Sequence, residues 1–166
     1  MKRTLYILAA LLLSTFAASA QKVSKGELKS LQNFLQQPAV EAPTNAQALG
    51  IGDINNPASW QGVKVENGHI TEIQWDSKKL AGNLVIANMP ALQNLQIRNN
   101  RITALTVSTC PQLVTINAGR NRLSQFAATA TPMLQNLLIY RNRLSSIALN
   151  DVPMLKRLNI SSNSMA

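Results

Sequence analysis

The chain has 166 residues, with 16 Lys and Arg, 7 Asp and Glu, and a formal net charge of +9. A single cysteine cannot form an internal disulfide, which excludes a disulfide-stapled fold, and the length suits one domain. Residues 21–88 hold six basic and six acidic side chains, whereas residues 89–166 hold eight basic ones and only Asp151. Such an asymmetry is typical of a protein with an anionic partner, and also of a basic exported protein that is merely soluble.

The segment 1–20 is typical of a secretory signal peptide. Lys2 and Arg3 precede an apolar run, and Ala18-Ser19-Ala20 follows it. The run is shorter than the roughly 20 apolar residues of a membrane-spanning helix. The residue directly after the expected cleavage site is not a cysteine, so it cannot carry a lipid. We therefore expect cleavage after Ala20 and a secreted or periplasmic protein without a membrane span.

Residues 21–69 are predicted to form an N-terminal cap. Ser24-Lys-Gly-Glu27 is a capping-box pattern, and apolar residues then recur at helical spacing up to Pro38. This predicts a helix at about 25–37, followed by an irregular connection over 38–59. Val63 and Val65 alternate as in a short strand, and Asn67-Gly68 is a hairpin turn signal before the next strand.

The remainder, 70–166, is repetitive. Four prolines recur with a constant 21-residue period, and each opens the phrase Pro-x-Leu-x-x-(Leu/Ile)-x-(Ile/Ala)-x-x-Asn; they are Pro90, Pro111, Pro132 and Pro153. One column is invariantly asparagine, at Asn100, Asn121, Asn142 and Asn163. A degenerate copy without the asparagine begins at Ile70. We expect about five turns and no C-terminal cap.

This phrase resembles the leucine-rich repeat, with its consensus L-x-x-L-x-L-x-x-N-x-L at a period of about 20 to 29 residues. The internal repeats are similar to the 21-residue bacterial, internalin-like type. The segment before them resembles the N-terminal cap of plant-type leucine-rich-repeat ectodomains, without its usual cysteine pair. The resemblance implies an α/β solenoid, a horseshoe with a parallel sheet on its concave face and a helical cap. Burial must then hold the cap, with Phe34, Trp60 and Trp75 as anchors.

The period sorts the side chains into core and surface. The asparagines are expected to form a ladder that bonds backbone groups of their own and neighbouring turns. Cys110 shares a column with Met89 and Thr131, which favours an inert core thiol over a reactive one. The segments after each asparagine are expected to return along the convex side as core.

Outward positions of the strands define the candidate binding residues. Tyr140 is the predicted contact centre, because exposed aromatic and arginine side chains dominate interface energetics. The alternative is a lone surface tyrosine that shields its neighbours. Its predicted neighbours are Asn117, Arg120, Leu138 and Arg141, and Arg98 is expected to pair with Asp76. Arg101, Arg122 and Arg143 form a ladder suited to carboxylates, sulfates or phosphates. The favoured interpretation of that ladder, however, is a solvated basic position copied by repeat duplication.

Catalysis is not expected. The single histidine, His69, lies in a turn, and Glu72 and Asp76 are about 13 Å apart along a strand. The sequence contains no metal set, Walker loop or dinucleotide fingerprint, so no cofactor is expected. The sequence predicts a module that binds a protein, and the basic surface suits an acidic one. The alternative is a module that binds an anionic glycan. A structural fragment without a ligand is the third interpretation.

Two further expectations concern partners. Export and the scarcity of aromatic residues argue against nucleic acid. The last turn would expose Leu155, Leu158 and Ile160 together with an open strand edge, which offers a route to an end-to-end homodimer.

Overall fold

The structure, a computed structural model, describes residues 23–165. The predicted signal peptide and its cleavage site lie outside the described residues. Within them, the chain forms a β-solenoid of about four turns with few helices.

Helix α1 covers Lys25–Leu35 and ends two residues before the predicted limit. Ser24 caps it, since its Oγ accepts from the Glu27 N–H at 3.3 Å. The second bond of a capping box, from the backbone N–H of Ser24 to the Glu27 carboxylate, is replaced by other contacts. The Glu27 carboxylate is buried and accepts from the Ile70 N–H at 2.9 Å, while His69 Nδ1 lies 2.7 Å from its other oxygen. Glu27 therefore ties α1 to the first strand of the repeats.

The segment between α1 and the strands is mostly irregular, with a short helix α2 at Asn45–Ala48 and a single 3₁₀ turn at Pro57–Ser59. Ten strands follow, and their bounds in chain order are β1 Val63–Glu66, β2 His69–Gln74, β3 Ala81–Ala87, β4 Asn94–Gln96, β5 Arg101–Ser108, β6 Thr115–Asn117, β7 Gln125–Thr129, β8 Asn136–Leu138, β9 Ala148–Asn150 and β10 Arg157–Asn159.

The predicted hairpin between β1 and β2 is confirmed. The two strands pair antiparallel, and the turn residues Asn67 and Gly68 both have positive φ, at 50° and 74°. These are the backbone angles that a tight two-residue hairpin requires, and Asn-Gly adopts them at little cost.

Two sheets run along the solenoid. The first has six strands in the order β1-β2-β4-β6-β8-β10, and from β2 onward all pairs are parallel. Its register aligns Ile73, Leu95, Ile116, Leu137 and Leu158, which confirms the alignment that the repeat period predicts. The second sheet has four parallel strands in the order β3-β5-β7-β9.

The second sheet is an addition to the sequence prediction, which treated these return segments only as core. Leu105 pairs with Phe126 in this sheet, and the next inward column consists of Val107, Ala128 and Leu149. Apolar and β-branched residues at alternate positions favour extended backbone. Because the repeat period aligns these residues from one turn to the next, adjacent return segments can pair with each other.

The asparagine ladder is confirmed in atomic detail. Asn121 Oδ1 accepts from the Ile102 N–H at 3.1 Å, and its Nδ2 donates to the carbonyls of Ile97 at 2.9 Å and Ala118 at 3.1 Å. Asn142 also donates to the Ala118 carbonyl, at 3.0 Å. Each shared carbonyl therefore joins the asparagines of two successive turns.

Side-chain amides close the N-terminal edge of the second sheet. Gln37 accepts from the Asn83 N–H at 2.8 Å and donates to the Asn83 carbonyl at 2.9 Å. Asn45 does the same with Ala81, at 3.1 and 2.9 Å. These amides occupy the hydrogen-bonding positions that a further strand would fill at Ala81 and Asn83, so they cover the first half of this edge of β3.

The predicted aromatic anchors are buried at this end of the solenoid. Phe34 stacks on Trp75 with ring centroids 6.3 Å apart, and Trp60 is 3% exposed. The indole N–H of Trp60 donates to the Asp53 carbonyl at 2.7 Å. Aromatic burial and the buried Glu27 and Asn45 side chains together attach the N-terminal segment to the strands.

Candidate binding surface on the six-stranded sheet

The outward positions of the six-stranded sheet form columns, as the sequence predicts. The first column runs through Glu72, Asn94, Thr115, Asn136 and Arg157. The second column runs through Gln74, Gln96, Asn117, Leu138 and Asn159. The floor of the surface is therefore rich in amides, and Leu138 is a half-buried apolar side chain within it.

Tyr140 lies just beyond the end of β8 and is half-buried. Its ring covers Gly119 of the preceding turn, where a Cβ atom would collide with Cε1, Cζ and Cδ1 of the ring. The Arg120 N–H donates to the Tyr140 carbonyl at 2.9 Å, which places the two residues in adjacent turns. Glycine at 119 thus lets the ring pack directly against the backbone, and this contact restrains the side chain.

The six candidate arginines lie along the turns at the end of the sheet, and all six are exposed; they are Arg98, Arg101, Arg120, Arg122, Arg141 and Arg143. Two of them have left-handed backbone, with φ of 57° at Arg120 and 52° at Arg141. The equivalent residue in another turn is Asn99, at 57°. Asparagine is enriched in this region, whereas a longer side chain there costs about 1 kcal/mol or more.

The predicted pair of Asp76 and Arg98 is confirmed. Asp76 accepts from the Arg98 backbone N–H at 2.6 Å, and the Arg98 Nε lies 3.4 Å from the second carboxylate oxygen. Lys79, at the start of the basic column, pairs with Glu41 of the N-terminal segment. Both pairs are partly exposed, so each contributes about 0 to 1 kcal/mol.

Cys110 is completely buried, which confirms its predicted place in the core. Its thiol donates to the Ser108 carbonyl at 3.3 Å. Burial raises the pKa of the Cys110 thiol to about 11, because the thiolate would lose its hydration. At neutral pH this thiol is protonated and unreactive.

The last turn is more exposed than the others. Leu137 is fully buried, whereas Leu158 in the same column is 44% exposed, and Leu155 and Ile160 are half-buried. Among residues 23–165, β10 pairs only with β8, and β9 pairs only with β7. Both sheets therefore have a free edge on this side within the described part of the chain.

Concave volumes of 460 and 530 Å³ lie beside α1, not on the six-stranded sheet. One is lined by Asn33, Gln37 and Asn83, and the other by Val23, Leu28 and Gln32. In the described range, no three His, Cys, Asp or Glu side chains cluster closely enough to hold a metal ion. None of the helices between residues 23 and 165 has the length and hydrophobicity to cross a bilayer.

Sequence-based prediction missed several residues that organise the two sheets. Gly119 and Tyr140 stand one repeat period apart, so their shared column could have indicated that the ring packs on glycine. The edge-closing roles of Gln37 and Asn45 left no pattern, because both residues lie outside the repeats.

Comparison of the chain with protein-family models, curated proteins and solved structures found no match.

Proposed function

We propose that this chain is an exported, non-catalytic leucine-rich-repeat module that binds a protein partner through the six-stranded sheet. The repeated phrase and the asparagine ladder support the assignment to leucine-rich repeats. In this proposal the six-stranded sheet is the concave face of a horseshoe. The segment with α1 is its N-terminal cap.

The observation that carries the binding proposal is the fixed aromatic group on the sheet. Tyr140 is held against Gly119, and Leu138 belongs to the neighbouring column of the same strand. Arg120 and Arg141 lie beside them and are exposed. A pre-oriented aromatic ring loses little conformational entropy on binding, and tyrosine and arginine are the residues that dominate interface energies.

The test uses the full chain as bait with two matched variants. One variant carries Leu138→Ser and Tyr140→Ser, and the control carries Val85→Ser, because Val85 is an exposed apolar residue of the other sheet. Each chain is immobilised and exposed to surface proteins of the source cells. We expect a protein that the wild type and the control retain and the double variant loses.

Circular dichroism of all three chains verifies that they are folded. Equal retention by the three chains, or no retained protein, contradicts the proposal. Retention that depends on Val85 instead would move the interface to the four-stranded sheet.

A further inference from the structure

Positive charge is concentrated at the corner where the six-stranded sheet passes into the four-stranded sheet. We call this group the arginine rim; it consists of Arg101, Arg120, Arg122, Arg141 and Arg143. The Arg122 N–H donates to the Ile102 carbonyl, and the Arg143 N–H donates to the Leu123 carbonyl. Equivalent rim residues are therefore stacked from turn to turn at the strand spacing of about 4.8 Å.

Within residues 23–165, no rim guanidinium lies within 4.0 Å of a carboxylate. Lys79 and Arg98, by contrast, have the partners Glu41 and Asp76. Stacked like charges repel each other, so the rim destabilises the fold to some extent. No internal ion pair offsets this repulsion in the described residues.

The backbone adds a second cost at the same place. Arg120 and Arg141 occupy the left-handed position that Asn99 fills in an earlier turn. Asparagine adopts this conformation more readily than arginine does. A position kept only for solubility would suit asparagine or serine, and Ser162 stands there in the last turn. The rim thus combines backbone strain at Arg120 and Arg141 with repulsion between stacked guanidinium groups. Together these two costs point to a contact with another molecule.

We propose that the arginine rim binds a linear anionic polysaccharide that runs across the turns, parallel to the solenoid axis. Each turn offers a guanidinium fork that can donate two parallel hydrogen bonds to a carboxylate or sulfate. The ligand needs charges that repeat at about 4.8 Å to match the spacing of the strands.

An extended acidic polypeptide fits this spacing less well. Its side chains on one face are about 6.6 to 6.8 Å apart, so its charges no longer match the rim after two or three turns. A sulfated polysaccharide carries more than one anionic group per sugar on average, so several of its charges can face the rim at this spacing. The rim lies at the edge of the sheet and Tyr140 on its face. The two proposed surfaces share Arg120 and Arg141, whereas Arg101, Arg122 and Arg143 belong to the rim alone.

Binding is measured with polygalacturonate and heparin as polysaccharides, poly-L-glutamate as the polypeptide and dextran as the uncharged control, at low and at physiological salt. The ladder variant carries R101Q, R122Q and R143Q. The charge-matched control carries K25Q, K29Q and K156Q, which removes three charges elsewhere on the surface. We expect the ladder variant to bind at least one polysaccharide about tenfold more weakly, as three exposed ion pairs of ordinary strength would give. The control should change less than about twofold.

A second variant separates binding from folding. R120N and R141N place asparagine at the left-handed position, as in Asn99, so the thermal midpoint should rise while polysaccharide binding falls. Equal losses in ladder and control variants would reduce the effect to net charge and overturn the proposal. Tighter binding of poly-L-glutamate, or no salt-sensitive polysaccharide binding, would overturn it as well. The Leu138→Ser/Tyr140→Ser chain should keep its polysaccharide binding, so the rim and the protein interface can fail independently.

Discussion

Replacing Asn121 by alanine tests the asparagine ladder directly. Asn121 is buried and makes three hydrogen bonds to backbone, one to the Ile102 N–H and two to the carbonyls of Ile97 and Ala118. After the change, the Ile102 N–H lacks an acceptor. Each carbonyl keeps one other asparagine donor, from Asn100 or Asn142.

The expected loss follows from this inventory. A buried N–H without an acceptor costs about 1 to 3 kcal/mol, and each lost neutral bond contributes about 0.5 to 1.5 kcal/mol. Because both carbonyls remain partly satisfied, we expect Asn121→Ala to lower the free energy of unfolding by about 2 to 4 kcal/mol. Asn163→Ala lies in the more exposed last turn, where water can replace the side chain, and should cost less.

Urea denaturation followed by circular dichroism measures the loss. Hydrogen exchange at the Ile102 amide, which should become faster, locates it. Asn94→Ala is the matched control, because Asn94 is half-buried on the six-stranded sheet and its side chain makes no hydrogen bond within residues 23–165. It should change stability by less than about 0.5 kcal/mol. A change at Asn121 as small as that of the control would refute the role assigned to the ladder.

Three further outcomes are expected. Cys110 should react with thiol reagents only on unfolding. Since its pKa rises from 9.0 to about 11, its stabilisation is complete below pH 9 and falls by at most about 2.7 kcal/mol as the pH rises to 11, a dependence that Cys110→Ala should remove in urea titrations. Glu27→Ala should lower the free energy of unfolding, measured by urea denaturation, by about 3 kcal/mol, since it leaves a buried N–H unpaired, while exposed Glu66→Ala should have almost no effect. Gly119→Ala should cost about 1 to 3 kcal/mol in a thermal melt, and the cost should shrink in a Tyr140→Ala background; an unchanged cost would contradict the ring contact.

The period predicted much of the architecture because each repeat meets its own copy in the next turn. Columns such as Leu95, Ile116 and Leu137 could be aligned before their strands were known, since parallel pairing at a constant interval leaves one register. The exposure of Leu158 followed from the same alignment. The second sheet was missed, because apolar spacing in the return segments predicts burial without specifying backbone pairing.

The N-terminal segment was less predictable for a physical reason. The sequence pattern around Glu27 predicts a local capping box, but its carboxylate bonds the distant Ile70 N–H. Gln37 and Asn45 likewise act on distant backbone groups. These contacts connect a unique segment to the first turn, so they have no second copy and no spacing that could reveal them. On the candidate binding surface, the positions of the arginines were predictable, whereas the left-handed backbone of Arg120 and Arg141 was not.

The amides of Gln37 and Asn45 make the two ends of the repeat array unequal as places where a further repeat unit could be added during evolution. A repeat unit duplicated on the side of β3 would have to displace both side chains and the helix behind them. On the side of β9 and β10, an added repeat unit would find the strand edges and the asparagine ladder ready to continue. Related proteins of different lengths should therefore share the N-terminal segment and differ in how many units follow it.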